Sequence, residues 1–328
     1  MSGSRFSLRR LLGIALSAAY VSVATCHDHW VDIWASMPQQ VEPYNLPNTP
    51  YNGTDGVFYN TTIRTTVYLT QNATTIRLQF SNAYGASDLP ITSATVALPV
   101  NNTAGSPAIR PSTLQHLTFS GSRSFQVPSG ASSSPTRSAS PSKPKPPSPP
   151  HHRHQPPNAS TNGFSSPPSK PGPPTHSSLA IIGDSITDGR GSTTNLNNRW
   201  PDQLLARLRN PKSFPFLRTI SLANLAAGGN RILTDGLGPS ALSRLDRDVL
   251  SHSNVRYALI FTGVNDLGTA ASDPTTQTQV TDRMIAAYSQ MITRLHGAGI
   301  AVFGATITPM SGPGQAYGTR RGRGRGRG

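Results

Sequence analysis

The chain has a single cysteine, Cys26, among its 328 residues, so no intrachain disulfide can brace it. Acidic residues are also scarce: 14 Asp and Glu stand against 29 Lys and Arg, a formal net charge of +15. Apolar residues make up only 35% of the chain, low for a protein that buries most of itself. Part of the sequence must therefore lie outside any packed core. Beyond the first two dozen residues no apolar run is long enough to cross a bilayer, so no stable membrane insertion is expected. What the chain has in excess is proline, 30 residues, and 14 of these crowd into residues 129–177.

That crowded stretch and the C-terminal tail account for most of the charge. Residues 129–177 hold Arg137, Lys143, Lys145, Arg153 and Lys170, and residues 318–328 hold Arg320, Arg321, Arg323, Arg325 and Arg327; neither segment has an acid. Two-thirds of the net charge thus belongs to low-complexity sequence and says little about a folded ligand site. Residues 129–177, rich in Pro and Ser, read as a disordered linker, because they have too little apolar surface to offset chain entropy. The cluster His151-His152-Arg153-His154 could hold a metal, but a mobile tract lacks the braced second shell of metal sites, so no metal is expected. The Arg-Gly tail at 318–328 could track phosphates. No companion RNA-binding module accompanies it, and no nucleic-acid partner is expected.

The first residues read as an export signal over 1–24. Arg5, Arg9 and Arg10 precede an apolar stretch at 11–23, and Ser22-Val23-Ala24 offers a small-x-small cleavage site. The other reading of this stretch is an N-terminal membrane anchor. Sequons at Asn52, Asn60, Asn72, Asn101 and Asn158 fit a secreted, extracellular glycoprotein.

Two regions have the pattern of folded structure. Residues 28–128 are rich in Thr, Val, Ile and aromatics, with strands expected at 62–70, 75–80 and 92–100. Alternation places Ile76, Leu78 and Phe80 on one face, with Arg77 and Gln79 on the other, which reads as a small β-sandwich. Residues 178–317 alternate instead: strand at 179–185, helix at 200–208 with Pro201 in its first turn, strands at 219–226 and 257–263, an amphipathic helix at 279–296, and a fourth strand at 300–307. That order implies a parallel sheet with helices on both faces.

Polar clusters fall at three expected strand ends, where ligands sit in open α/β sheets. They are Gly183-Asp184-Ser185-Ile186-Thr187-Asp188-Gly189, residues 224–231 (NLAAGGNR), and Gly263-Val264-Asn265-Asp266. In this order, with residues 182–189 (IGDSITDG) and the following Asn198-Arg199-Trp200-Pro201-Asp202, the chain resembles the SGNH/GDSL hydrolases, serine esterases. It looks most like their secreted branch with an N-terminal β-rich domain, which residues 30–42 and 76–85 resemble. The resemblance covers roughly 28–128 and 178–317. It implies a flavodoxin-like three-layer α/β/α hydrolase domain, without metal or organic cofactor, acting on carboxylic esters of acylated polysaccharide, lipid or small acyl compounds.

Residue by residue, the resemblance makes Ser185 the nucleophile. The Ser185 and Gly229 N–H groups and the Asn265 side-chain amide become the oxyanion donors. Gly228 beside Gly229 leaves open which of the two is the donor. Donors fixed around a developing alkoxide stabilise the tetrahedral state over the ground state. Asp184 and Asp266 read as residues that orient their turns through local hydrogen bonds. The family also carries Asp-x-x-His after the last strand, and nothing of the kind follows Pro309 here. His296 and His252 precede strands and should lie at the far end of the sheet. No catalytic His or Asp is identified, so hydrolysis is expected to be severely impaired, and residues 129–177 and 318–328 read as out-of-frame or mis-spliced translation. The other functional reading is a secreted pseudoenzyme that binds acyl esters or carbohydrate without turnover.

Overall fold

The computed structural model describes residues 30–41, 46–54, 56–73, 75–133, 160–165 and 176–310. The signal segment, the His151–His154 cluster and the Arg-Gly tail lie outside these residues.

The α/β region is built on four parallel strands. In the numbering used here β1 to β10 precede them, and the four are β11 (Ser177–Gly183), β12 (Ile220–Asn224), β13 (Val255–Phe261) and β14 (Ala301–Gly304). They stand in the order β12-β11-β13-β14, the flavodoxin-like arrangement for four strands. Four helices accompany them: α2 (Trp200–Leu208) and α4 (Pro274–Gly297), near the two helices read from sequence, and α1 (Ser185–Asp188) and α3 (Val264–Thr269), which the sequence reading did not mark as helices. Strand β11 explains the layering. Ala180 and Ile182 face one core with Met284, Met291 and Leu295 of α4, while Leu179 and Ile181 face the other with Leu205 of α2. Both faces of β11 are dry, as a central parallel strand requires. Helix α4 starts at Asp273, whose side chain accepts from the Thr276 N–H at 2.8 Å, and Pro274 fills the first turn, where its missing N–H costs nothing.

The N-terminal region is rich in short strands. These are β1 (Asp32–Trp34), β2 (Asn52–Gly53), β3 (Gly56–Val57), β4 (Arg77–Ser81), β5 (Leu89–Ile91), β6 (Thr95–Val96), β7 (Gln115–His116), β8 (Phe125–Val127) and β9 (Ser132–Ser133), joined by β10 (Ser160–Ser165). One sheet runs β1-β10-β4-β9, and three two-stranded ribbons pair β2 with β3, β5 with β8 and β6 with β7. Ile76 and Leu78 are buried as the alternation predicted, in a core with Ile33, Leu117 and Phe119.

Three expectations differ from the structure. Residues 62–70 form no strand, although Val67 and Leu69 pack on the N-terminal core and Thr70 bonds Ile33 O through both its N–H and its hydroxyl. The segment is an extended strap that serves two regions at once, since the Thr70 hydroxyl also accepts from the Leu222 N–H at 3.1 Å. In residues 92–100 only Thr95–Val96 is strand. The stretch read as one linker, 129–177, contains β9 and β10, and β10 pairs antiparallel with both β1 and β4. Its low apolar content concealed a backbone role, because ladder hydrogen bonds need no hydrophobic side chain.

The two regions are not separate bodies at β1. Ala35 and Met37, just past it, are buried in the core of the α/β region. Ser221 Oγ donates to Asp32 O at 2.5 Å, and Arg209 donates to Ile220 O at 2.8 Å and to Thr70 O at 2.5 Å. The Asp32 carboxylate takes the Ser253 N–H at 3.1 Å and pairs with His252 Nδ1.

Candidate active site

Ser185 opens α1 directly after β11, and Asn265 lies in α3 directly after β13. In this strand order the chain leaves β11 toward β12 on one side and returns to β13 on the other. The crevice between their carboxyl ends is where open α/β sheets bind ligands. Ser185, Gly229 and Asn265 all line a single cleft of about 1020 Å³ there.

Local chemistry sets each of the three. Asp184 caps α1, its carboxylate accepting from the Ile186 N–H at 2.9 Å, which turns the chain sharply and leaves Ser185 at the rim. Gly183 permits the tight turn: a Cβ there would stand 2.4 Å from Thr187 Cβ. Thr187 is fully buried, receives the Trp200 indole N–H at 3.2 Å, and its carbonyl takes the Asn224 side-chain amide at 3.1 Å. Gly229 has φ of 68°, a conformation that L side chains avoid. Among the described residues, neither the Ser185 nor the Gly229 peptide N–H has a hydrogen-bond partner. The Asn265 carboxamide gives one of its two hydrogens to Asn230 O at 2.9 Å, which ties α3 to the turn that carries Gly229.

Asp266 does more than orient its own turn. Its two oxygens accept the Ile232 N–H at 2.8 Å and the Leu233 N–H at 3.0 Å, so the carboxylate fastens the 224–233 loop to α3. Asp184 keeps the local role expected of it. Burial holds both carboxyls above the ordinary carboxylate range; for Asp184 the neighbouring Asp266 charge adds to this, while the Ile186 N–H opposes it. Burial, with the Asp266 and Asp184 charges behind it, pushes Tyr288 up to about 12, and its phenol donates to Thr262 O at 2.6 Å.

A buried network beneath the loop was not read from the sequence. Arg244, 2% exposed, donates to Leu225 O at 2.7 Å, to Asp248 Oδ2 at 2.8 Å and to Asn230 Oδ1 at 2.9 Å. Arg247 also bonds Asp248. The i,i+4 spacing of Arg244 and Asp248 was the available signal, but it looks the same on a wet helix face.

Among the described residues no histidine lines the cleft, and none bonds the Ser185 hydroxyl. His296 is exposed in the last turn of α4. His252 lies three residues before β13, whose seven residues span roughly 23 Å, and Asn265 and the cleft lie past its other end. Its partner Asp32 makes the pair a clasp on β1 rather than a base for Ser185. Among the described residues no group of three or more His, Cys, Asp or Glu could hold a metal ion, and no helix is long and apolar enough to cross a membrane.

Comparison with known proteins gives a family match and partial structural likenesses. Residues 181–327 match the family model described as GDSL-like Lipase/Acylhydrolase. No curated protein matches the chain. Solved structures with similarity include a protein described as lipolytic and of the G-D-S-L family, from Desulfitobacterium hafniense DCB-2, with 20% identity and TM-score 0.31 over 45% of this chain and 70% of that one. An acetyl xylan esterase has 22% identity and TM-score 0.32 over 44% of this chain and 71% of its own. A second, from Geobacillus stearothermophilus, has 20% identity and TM-score 0.33 over 45% of this chain and 73% of its own. These are partial likenesses in fold. Residues 181–327, the α/β region, are thus similar to the GDSL-like lipase/acylhydrolase family.

Proposed function

We propose that the chain is a secreted carboxylic-ester hydrolase in its architecture, with Ser185 as nucleophile and the Ser185 N–H, the Gly229 N–H and the Asn265 amide as oxyanion donors. One observation carries the reading: these three residues line one cleft at the switch point of the sheet, with both peptide N–H groups unpartnered. Attack by Ser185 Oγ on an ester carbonyl moves charge onto the carbonyl oxygen, where such donors contribute more than they do to the neutral ester. The hydroxyl must also lose its proton, and a serine is a weak nucleophile without a base to accept it. Among the described residues no histidine lines the cleft, and without such a base turnover falls far below that of an ordinary esterase. The same observation favours a second reading, a secreted pseudoenzyme that holds acyl esters without cleaving them.

A serine-reactive phosphonate, read by intact mass and peptide mapping, tests the assignment. Slow stoichiometric labelling of Ser185, abolished in Ser185→Ala, with little turnover of a short acyl ester, is the expected result. No label at Ser185 would leave only the binding reading. Turnover at ordinary enzyme rates, lost in Ser185→Ala, would overturn the impairment.

A further inference from the structure

The loop between α2 and β12, residues 209–219, carries the two most exposed large apolar side chains among the described residues of the α/β region. Phe214 is 70% exposed and Phe216 60%, and their rings stack with centroids 6.0 Å apart. The loop is firmly built. Ser213 Oγ donates to Arg207 O at 2.7 Å, the Lys212 N–H to Asn210 Oδ1 at 2.8 Å, and the Leu217 N–H to Phe214 O at 3.0 Å. From the N-terminal region the Gln71 side-chain amide donates to Arg218 O at 3.0 Å. Pro211 and Pro215 fix the backbone on either side of Phe214. The fold thus holds two phenyl rings in water, where covering them would be favourable.

Charge beside the rings narrows what covers them. Arg207, Lys212 and Arg218 are exposed, and none forms an ion pair among the described residues. Lys212 and Arg218 each stand two residues from a ring, within about 7.6 Å between Cα atoms, and Arg207 is tied to the loop through Ser213. Residues 203–234 contain no acid at all.

A soluble polyanion would pair with the cations and leave the rings wet. A purely apolar face would cover the rings and strip water from the cations without neutralising them. A bilayer with anionic headgroups takes both, the rings at the boundary with the acyl chains and the cations among the headgroups. We propose that this loop docks the protein on an anionic lipid bilayer, a shallow contact that needs no spanning helix. The loop enters β12 at its amino end, and Asn224 at the carboxyl end lines the cleft, so the strand sets them roughly 17 Å apart. The lipid is here a surface and not the ester, and the proposal holds under either reading of the cleft.

The test is co-sedimentation of the full-length protein with vesicles of phosphatidylcholine, alone or mixed with phosphatidylserine. The double variant Phe214→Ser, Phe216→Ser keeps every charge, which separates the loop from the basic segments 129–177 and 318–328. Lys212→Gln with Arg218→Gln keeps both rings. All four side chains are exposed, so the fold is expected to tolerate both variants. The expected result is binding to the mixed vesicles that weakens with salt, about tenfold weaker in each double variant, and little binding to phosphatidylcholine alone. No binding by the natural chain, or unchanged binding in either variant, would overturn the proposal. So would equal retention on polygalacturonate lost in both variants, which would give the loop to a soluble polyanion. Ring-dependent dimers in sedimentation velocity without vesicles would give it to a second copy of the chain and overturn the proposal as well.

Discussion

The α/β region and the N-terminal region hold themselves together in different ways. The first has parallel strands of four to seven residues, a 24-residue helix and a core of nineteen buried side chains. The second has strands of two to six residues and a core of six. Two of the nineteen, Ala35 and Met37, are donated by the N-terminal region. A region of short strands thus gains rigidity by lending apolar residues to its neighbour, and the loan brings Gln39 to the cleft wall.

The contrast can be broken most severely at the buried Arg244–Asp248 pair. Asp248→Ala leaves the guanidinium unneutralised at 2% exposure and should cost about 3–5 kcal/mol in denaturant unfolding. A loss below 1 kcal/mol would mean that water reaches the pair. Next come matched deletions in the two cores. Leu295→Ala should cost about 2–5 kcal/mol, and Leu117→Ala should lower the same single transition by a comparable or smaller amount. A separate second transition in Leu117→Ala would show that the regions unfold independently.

The smallest effect concerns the clasp between them. Burial alone would lower the His252 pKa, but the Asp32 hydrogen bond and charge, with Asp248 adding and Arg247 opposing, hold it above the ordinary value. The charged pair is fully formed below about pH 6.5, so its stabilisation fades as pH rises through the elevated value. Melting temperature should decline over that interval, and Asp32→Asn should flatten the decline. An identical slope in the variant would assign the pH dependence elsewhere.

Much of the α/β region was legible because its signals are local. A dry run such as 179–183, Pro201 in a first turn, and the spacing of Met284, Met291 and Leu295 each report on their own element. The three polar clusters were legible for the same reason, since each closes a strand. The strap at 62–70 was not, because Thr, Val and Ile look alike in a ladder and in a segment whose partners are Ile33 and Leu222. Strand β10 was hidden in a proline-rich composition, and its partners lie more than 75 residues upstream. The Arg244–Asp248 spacing reads the same on a wet helix face, and only the assembled chain shows that the pair is dry.

The carboxylate of Asp266 grips two consecutive peptide N–H groups of the loop beyond Gly229, while Asn265 next to it holds the Asn230 carbonyl. Glycine turn and asparagine amide are consequently one mechanical part, unable to drift apart as a ligand enters. Under the proposed assignment of these groups as oxyanion donors, an arriving carbonyl meets partners whose spacing needs no rearrangement. A bound ester should therefore show its carbonyl stretch displaced to lower frequency even while the serine stays idle.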